Sequence, residues 1–338
     1  MSRLTRACRD DNILNYKILS WRDIRANALK CEGHLAPWMP EMEITVGKKI
    51  GIVTDSHSGI SQELGEKLGV RVLPMPFYFG DECYYESKGI TREEFYERLD
   101  SGIDVATSQP SPADVTALWD EALKEYDEIV HIPISSGLSG SCMMAAGLAS
   151  DEPYEGRVFV VDNGRVSTPQ HRSVLDALEM VAEGYSGAQI KQMLDASADK
   201  NVIYIGVDTL EHLKKGGRIS PATATLGTML NIKPVLKFST GTLDAYKKCR
   251  GRAKMKAAML EAIKNDLNTT FKEYHDRNEV YLLAASSCDE EETAAWVREI
   301  EEAFPGMEVM CDYISFGVAC HVGRGGLGVA CSCRPGRI

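Results

Sequence analysis

From Lys49 onward, short runs of β-branched and apolar residues alternate with longer segments whose apolar residues recur at helical spacing. KIGIVTDS (49–56), YDEIVHIPIS (126–135) and RVFVVDN (157–163) each run through apolar residues and stop at polar ones. Between them lie ISQELGEKLG, TREEFYERLD, PADVTALWDEALKEY and LSGSCMMAAGLAS, which read as helices. Continuous apolar strands separated by helices specify a parallel sheet covered on both faces. Two helix starts are marked: Thr91 with Glu94 three residues on forms a capping box, and Ser111 precedes Pro112 in a first turn. VRVLPMPFYF reads as one further strand. After Asn163 a second series follows. Two helices over 166–184 and 186–200 lead to the strand NVIYIGVDT, then a helical hairpin over 209–231 broken at Gly216-Gly217. A β-hairpin over 232–250 turns at Ser239-Thr240-Gly241, and a long helix covers about 252–274. EVYLLAASS, DEEETAAWVREIEEAF, MEVMCDYIS and GLGVACSC complete a second α/β unit.

A chain of 338 residues exceeds what one small core organises, so two domains are expected, residues 49–165 and 166–338, with 1–48 as an extension of unknown role. The net charge of −11 argues against nucleic acid as a partner and against broad electrostatic docking to anionic membranes. No window of about 20 apolar residues offers a membrane span, and the basic N-terminus lacks the apolar stretch of a secretory leader. The ten cysteines contain no C-x-x-C pair, so they read as reduced thiols and no metal site is expected. A cytoplasmic location is expected.

Five stretches end a strand or turn in hydroxyls and glycine: Thr54-Asp55-Ser56, ATSQPSP (106–112), SSGLSGS (135–141), KKGGRIS (214–220) and HVGRGGLG (321–328). In parallel sheets ligands gather at such strand ends. SSGLSGS can hold a nucleophile, cradle an anion on the N–H groups of the following helix, or form a tight strand-to-helix turn. A hydrolase elbow needs glycine where Ser141 stands, and His131 lies on the strand, where it reads as a packed core residue. In ATSQPSP the cap is Ser111, which leaves Thr107 or Ser108 for a ligand. Arg218 offers a planar fork suited to carboxylate or phosphate, in a stretch without P-loop spacing. HVGRGGLG matches G-x-G-x-x-G, but no helix can follow it as a dinucleotide site requires.

Taken in order, VTDS, ATSQPS, ISSGLSGS, VVDN, LKKGGRIS, LNIKPVL and the late His-x-Gly turn resemble the DegV family of bacterial fatty-acid-binding proteins over about residues 49–333. The resemblance implies two α/β domains with a long-chain fatty acid between them, its tail in an apolar tunnel. It also implies a carrier without chemistry of its own, which presents the lipid to a fatty acid kinase. Carried over residue by residue, Thr107, Ser135, Ser136 and His321 would hold the carboxylate, with Arg218 near the site or on the surface facing the kinase. The bound fatty acid is then the ligand, and no cofactor is implied. The chain departs from the family at Val322 and Arg324 in the late turn and at Pro169, His171 and Arg172 after VVDN. Against the carrier stands a serine hydrolase acting on an ester or lipid through SSGLSGS.

Overall fold

The computed structural model describes residues 48–86, 88–224, 232–239, 241 and 243–338. The extension, the second half of the expected helical hairpin and Thr240 at the tip of the β-hairpin lie outside the described residues. β1 (Ile50–Asp55), β2 (Val70–Leu73), β6 (Glu128–Ile132) and β7 (Val158–Val160) form a parallel sheet in the order β2-β1-β6-β7. Between the first two runs α1 (Gln62–Leu68), capped by Ser61. One face is covered by α3 (Pro112–Ala122) and α4 (Ser141–Ala149), through Trp119, Val115 and Cys142. The other is covered by α5 (Thr168–Ala182) and α6 (Gly187–Asp195), through Val174, Met180 and Ile190. Both faces are dry, which is why these strands carry no polar alternation. His131 on β6 is 2% exposed and accepts from Trp119 Nε1 at 3.3 Å, as a packed core histidine.

The second sheet has six strands in the order β10-β9-β8-β13-β11-β12. They are β8 (Asn201–Gly206), β9 (Ile232–Phe238), β10 (Asp244–Arg250), β11 (Val280–Ser286), β12 (Val309–Tyr313) and β13 (Leu327–Cys333). Only β11 and β12 pair in parallel; the rest are antiparallel. Side chains alternate across this sheet. Val202, Tyr204, Leu282 and Cys331 pack under α9 (Arg252–Asn268) and α11 (Glu290–Ala303). Ile203, Ile205, Leu283 and Ala330 face the other way. The mixed α/β fold expected from the sequence, a parallel sheet and a second sheet each backed by helices, is thus present. α5 joins them: Thr168 Oγ1 donates to Ala284 O at 2.7 Å, and Gln170 Nε2 donates to Thr54, Asp55 and Ile132. The expected long helix stops at Asn268, where Thr269 leaves the helical region, and α10 (Lys272–Asp276) follows as a separate turn.

VRVLPMPFYF is not one strand. The chain bends at Pro74-Met75, so β2 stays in the parallel sheet while β3 (Pro76–Phe79) pairs antiparallel with β4 (Glu82–Tyr85) and β5 (Val105–Thr107). This small sheet packs with α2 (Arg92–Asp100) on α12 (Phe316–Val322), where the Phe95 and Phe316 rings stack 4.4 Å apart. Glu86, after β4, accepts from the Phe316 N–H at 3.1 Å, while its Oε2 has no partner. Burial pushes its carboxyl from 4.5 up to about 7. A raised carboxyl pKa means the native state binds the extra proton, so stability is expected to fall as pH rises across that interval. Glu86→Gln should flatten the slope and be more stable than wild type at pH 8 by about 1–2 kcal/mol, partial solvent access considered. Urea midpoints at pH 5 and 8 check this; an equal pH slope in the variant contradicts it.

Candidate ligand-binding site

The inward face of the six-stranded sheet, the start of α5, α12 and the turn after β6 enclose a cavity with about 940 Å3 of atom-free space, part of it open to solvent. Its wall is mainly aliphatic and aromatic, with Ile203, Ile205, Leu283, Phe238, Val318 and Val329 among the lining residues. Such a surface suits an apolar chain and offers little to a polar one.

The polar exceptions gather from both sequence halves. Thr107, at the end of β5, and His321, in the last turn of α12, are joined by a hydrogen bond of 2.9 Å between Oγ1 and Nε2. Both line the cavity. α12 ends at Gly323 with φ +80, which halts the helix just beyond His321. Gly216, at the end of α7 (Glu211–Gly216), lies against the imidazole: a Cβ there would fall 2.0 Å from His321 Nδ1. Gly217 beside it takes φ +69, so the paired glycines answer two needs, close approach and a left-handed cap. Burial first, then the positive charge of Arg218 and the neighbouring His57 and His212, push His321 down to about 3. The ring is therefore neutral at neutral pH, with Nδ1 unpartnered. Arg218, just before α8 (Pro221–Ala224), also lines the cavity; its Nε donates to Leu138 O at 3.2 Å and its Nη1 to Gly216 O.

The turn after β6 is largely self-contained. Ser135 is 2% exposed; its Oγ accepts from Gly137 N at 3.2 Å and its carbonyl from the N–H groups of Leu138 and Ser139. Ser136 N donates to Asp162 at 3.3 Å, and Ser141 N to Ser139 Oγ at 3.3 Å. Of the N–H groups expected to face an anion, those of Leu138, Ser139 and Ser141 are thus already paired. Ser136 is exposed, and neither it nor Ser135 lines the cavity; Ser139 does. The hydroxyls of Ser139 and Ser141 bond each other at 2.7 Å, and no serine of the turn bonds a histidine among the described residues. Gly137 abuts Gly241 of the β-hairpin, where a Cβ would meet backbone at 2.4 Å. This contact brings the hairpin onto the turn.

The other stretches divide between scaffold and cavity. Thr54, Asp55 and Ser56 spend their side chains internally, on Ile132 O, on the N–H groups of His57 and Ile134, and on Met75 N. HVGRGGLG runs from helix into β13, the reverse of a dinucleotide site. Of the departures from the family pattern, Pro169 and Val322 line the cavity. His171 pairs with Asp312 at 3.0 Å, and Arg172 with Asp176 and Glu179. Arg324 lies outside, bonded to Asp100 at 2.7 Å. Sequence reasoning passed over His57 and Ser167 as cavity residues. The hint for His57 was its place just after the β1 strand end; for Ser167 it was the Ser-Thr-Pro helix start. Among the described residues no cluster of three metal-ligating side chains occurs, no helix is long and apolar enough to cross a membrane, and all eight cysteines are free thiols.

A largely apolar cavity, partly open to solvent, with hydroxyl, imidazole and guanidinium groups in its wall is the arrangement expected of an α/β ligand-binding protein. The DegV family model, described as covering uncharacterised proteins, matches residues 49–333, and the chain belongs to that family. Protein DegV of Bacillus subtilis is 30% identical over 288 residues, 84% of this chain and 99% of the relative. A DegV family protein from Thermus thermophilus, whose structure was solved in connection with fatty acid binding, is 33% identical and superposes with a TM-score of 0.75, covering 84% of this chain and 99% of that one. A stearic acid-binding protein from Eubacterium ventriosum is 25% identical with a TM-score of 0.74, over 84% and 98% of the two chains.

Proposed function

We propose that this protein binds one long-chain fatty acid between residues 49–165 and 166–338 and, in the cytoplasm, presents it to a fatty acid kinase that forms the acyl-phosphate. The carrier itself performs no chemistry. The observation that carries the reading is the Thr107–His321 pair at the polar end of an otherwise apolar cavity. A carboxylate moved out of water must be hydrogen-bonded or charge-paired. Thr107, His321 and Arg218 supply donors for it. Ser135 fixes the turn, and Ser136, expected from the family resemblance to hold the carboxylate, stands exposed outside the cavity lining. The acyl chain adds about 0.8 kcal/mol per CH2 buried, so affinity comes mainly from the tail and orientation from the head. The fatty acids bound by family members of similar fold support the reading.

Thr107→Val keeps the side chain's shape and removes its hydroxyl. A hydrogen bond to a charged group contributes about 1.5–3 kcal/mol, so fatty-acid affinity should fall about 10- to 100-fold, beside a stability loss of about 1–3 kcal/mol because His321 Nε2 loses its partner. Titration with a fluorescent fatty acid measures this. An unchanged dissociation constant would remove Thr107 from the carboxylate site.

A further inference from the structure

Two polar groups in the cavity wall remain unused. His57 lies in the 3-10 turn Ser56–Ser58 that follows β1, and Ser167 immediately precedes α5. The Ser167 N–H donates to His57 O at 2.9 Å, which holds the two side by side. Both line the cavity, at 6% and 7% exposure. His57 Nδ1 and Ser167 Oγ have no partner, and no hydrogen bond reaches His57 Nε2. Ser167 occupies the N-cap position of a 15-residue helix, yet its side chain makes no capping bond. Its backbone holds φ +58 and ψ −143, a conformation that residues with a Cβ avoid. An uncapped helix start, a strained serine and two unsatisfied buried side chains meet at one place on the wall. The uncapped start and the two unsatisfied side chains are unfavourable in an empty apolar cavity, and one anionic oxygen arriving there satisfies them together.

We propose that His57 and Ser167, with the first turn of α5, complete the carboxylate site opposite Thr107, His321 and Arg218, and that the ligand's arrival draws a proton onto His57. This rests on the fatty-acid reading above. A carboxylate accepts at about four lone-pair positions, more than Thr107 and His321 fill. His57 belongs to the same polar end: its Nε2 lies against Gly317, one helical turn before His321 on α12. Burial is the main influence that lowers the proton affinity of His57; Arg218 adds to it and Asp55, at 3.6 Å from Nδ1, opposes it. The other ionisable groups around the turn are committed elsewhere. Glu86 holds Phe316 N, and Asp312, packed against Gly59, is paired with His171. A carboxylate between His57 and Arg218 screens the guanidinium and favours imidazolium. The sign follows: the bound state has the higher histidine pKa, so binding takes up a proton in the interval between the two values, and affinity rises as pH falls through it.

The test is calorimetric titration of palmitate into the full chain after its lipid has been stripped, at pH 6 to 8, in buffers of differing ionisation enthalpy. Wild type should take up a substantial fraction of a proton per palmitate and bind about 3- to 10-fold tighter at pH 6 than at pH 7.5. His57→Gln should still bind, with the uptake and the pH slope largely lost. Ser167→Gly, which accepts the positive φ without strain, should fold at least as stably as wild type and bind several-fold more weakly. Wild-type proton uptake in His57→Gln, or wild-type affinity in Ser167→Gly, would overturn the assignment. Palmitate binding without proton uptake in the wild type would overturn this assignment alone; no palmitate binding at any pH would overturn the fatty-acid reading with it.

Discussion

Asp176→Ala is expected to lower the free energy of unfolding by about 3–5 kcal/mol, the cost of leaving a buried charge uncompensated. Asp176 and Arg165 are both fully buried, with Nη1 and Oδ2 4.0 Å apart, and Arg172 Nη2 reaches the other carboxylate oxygen at 2.9 Å. Burial raises the Asp176 carboxyl against the pull of both arginines, and burial lowers Arg165. The cluster sits where α5 meets both sheets. Arg165 also donates to Ser173 and Ser197, and the Arg172 guanidinium lies 4.3 Å from the Tyr281 ring centre. Removing the carboxylate leaves the fully buried Arg165 guanidinium without a charge partner, while Arg172 keeps Glu179. Arg165→Met with Asp176→Leu removes both members of the most buried pair, so the double variant should lose less than the sum of the two single changes. Urea unfolding of wild type, Asp176→Ala, Arg165→Met, Asp176→Leu and the double variant checks this. A single-variant loss within that of an exposed control such as Glu63→Ala would contradict it.

Asp55→Ala is expected to cost a similar amount, about 3–5 kcal/mol, by a different route. The Asp55 carboxylate is 1% exposed and accepts from His57 N at 3.0 Å, Ile134 N at 2.7 Å and Gln170 Nε2 at 3.1 Å. Gln170 keeps Thr54 Oγ1 and Ile132 O, so the N–H groups of His57 and Ile134 are the donors left without a partner, each at a cost of about 1–3 kcal/mol. The three donors to Asp55 come from the turn after β1, from the loop after β6 and from α5, so one side chain holds the elements that frame the polar end of the cavity. Loss of ligand affinity should accompany the loss of stability, measured by titration at a temperature where the variant remains folded. Wild-type stability would show that these donors find other partners.

The two sheets were legible because period and length carry them. Apolar runs of four to six residues between amphipathic segments have few other solutions. The small antiparallel sheet was not legible. β4 reads ECYY and β5 reads VAT, too short and too polar to show a period, and VRVLPMPFYF continues its apolar pattern straight through the bend at Pro74. That sheet carries Thr107 to His321 across 214 positions of sequence. No spacing rule joins them; only the family resemblance placed both in one site. The cavity lining was equally invisible, since Ile203, Leu283 and Val329 alternate as core residues do. In the turn after β6, the serines closest to the strand end serve the turn itself, and Ser139 reaches the cavity instead. His57 and Ser167 escaped because each sits beside a better-marked neighbour, Asp55 and Thr168-Pro169.

Native mass spectrometry of the purified protein, followed by denaturation and lipid extraction, tests the central claim most directly. The account predicts one fatty acid per chain, or stoichiometric uptake from an added fatty-acid mixture, with occupancy reduced in Thr107→Val. A chain that carries no lipid and takes up none from the mixture would contradict it.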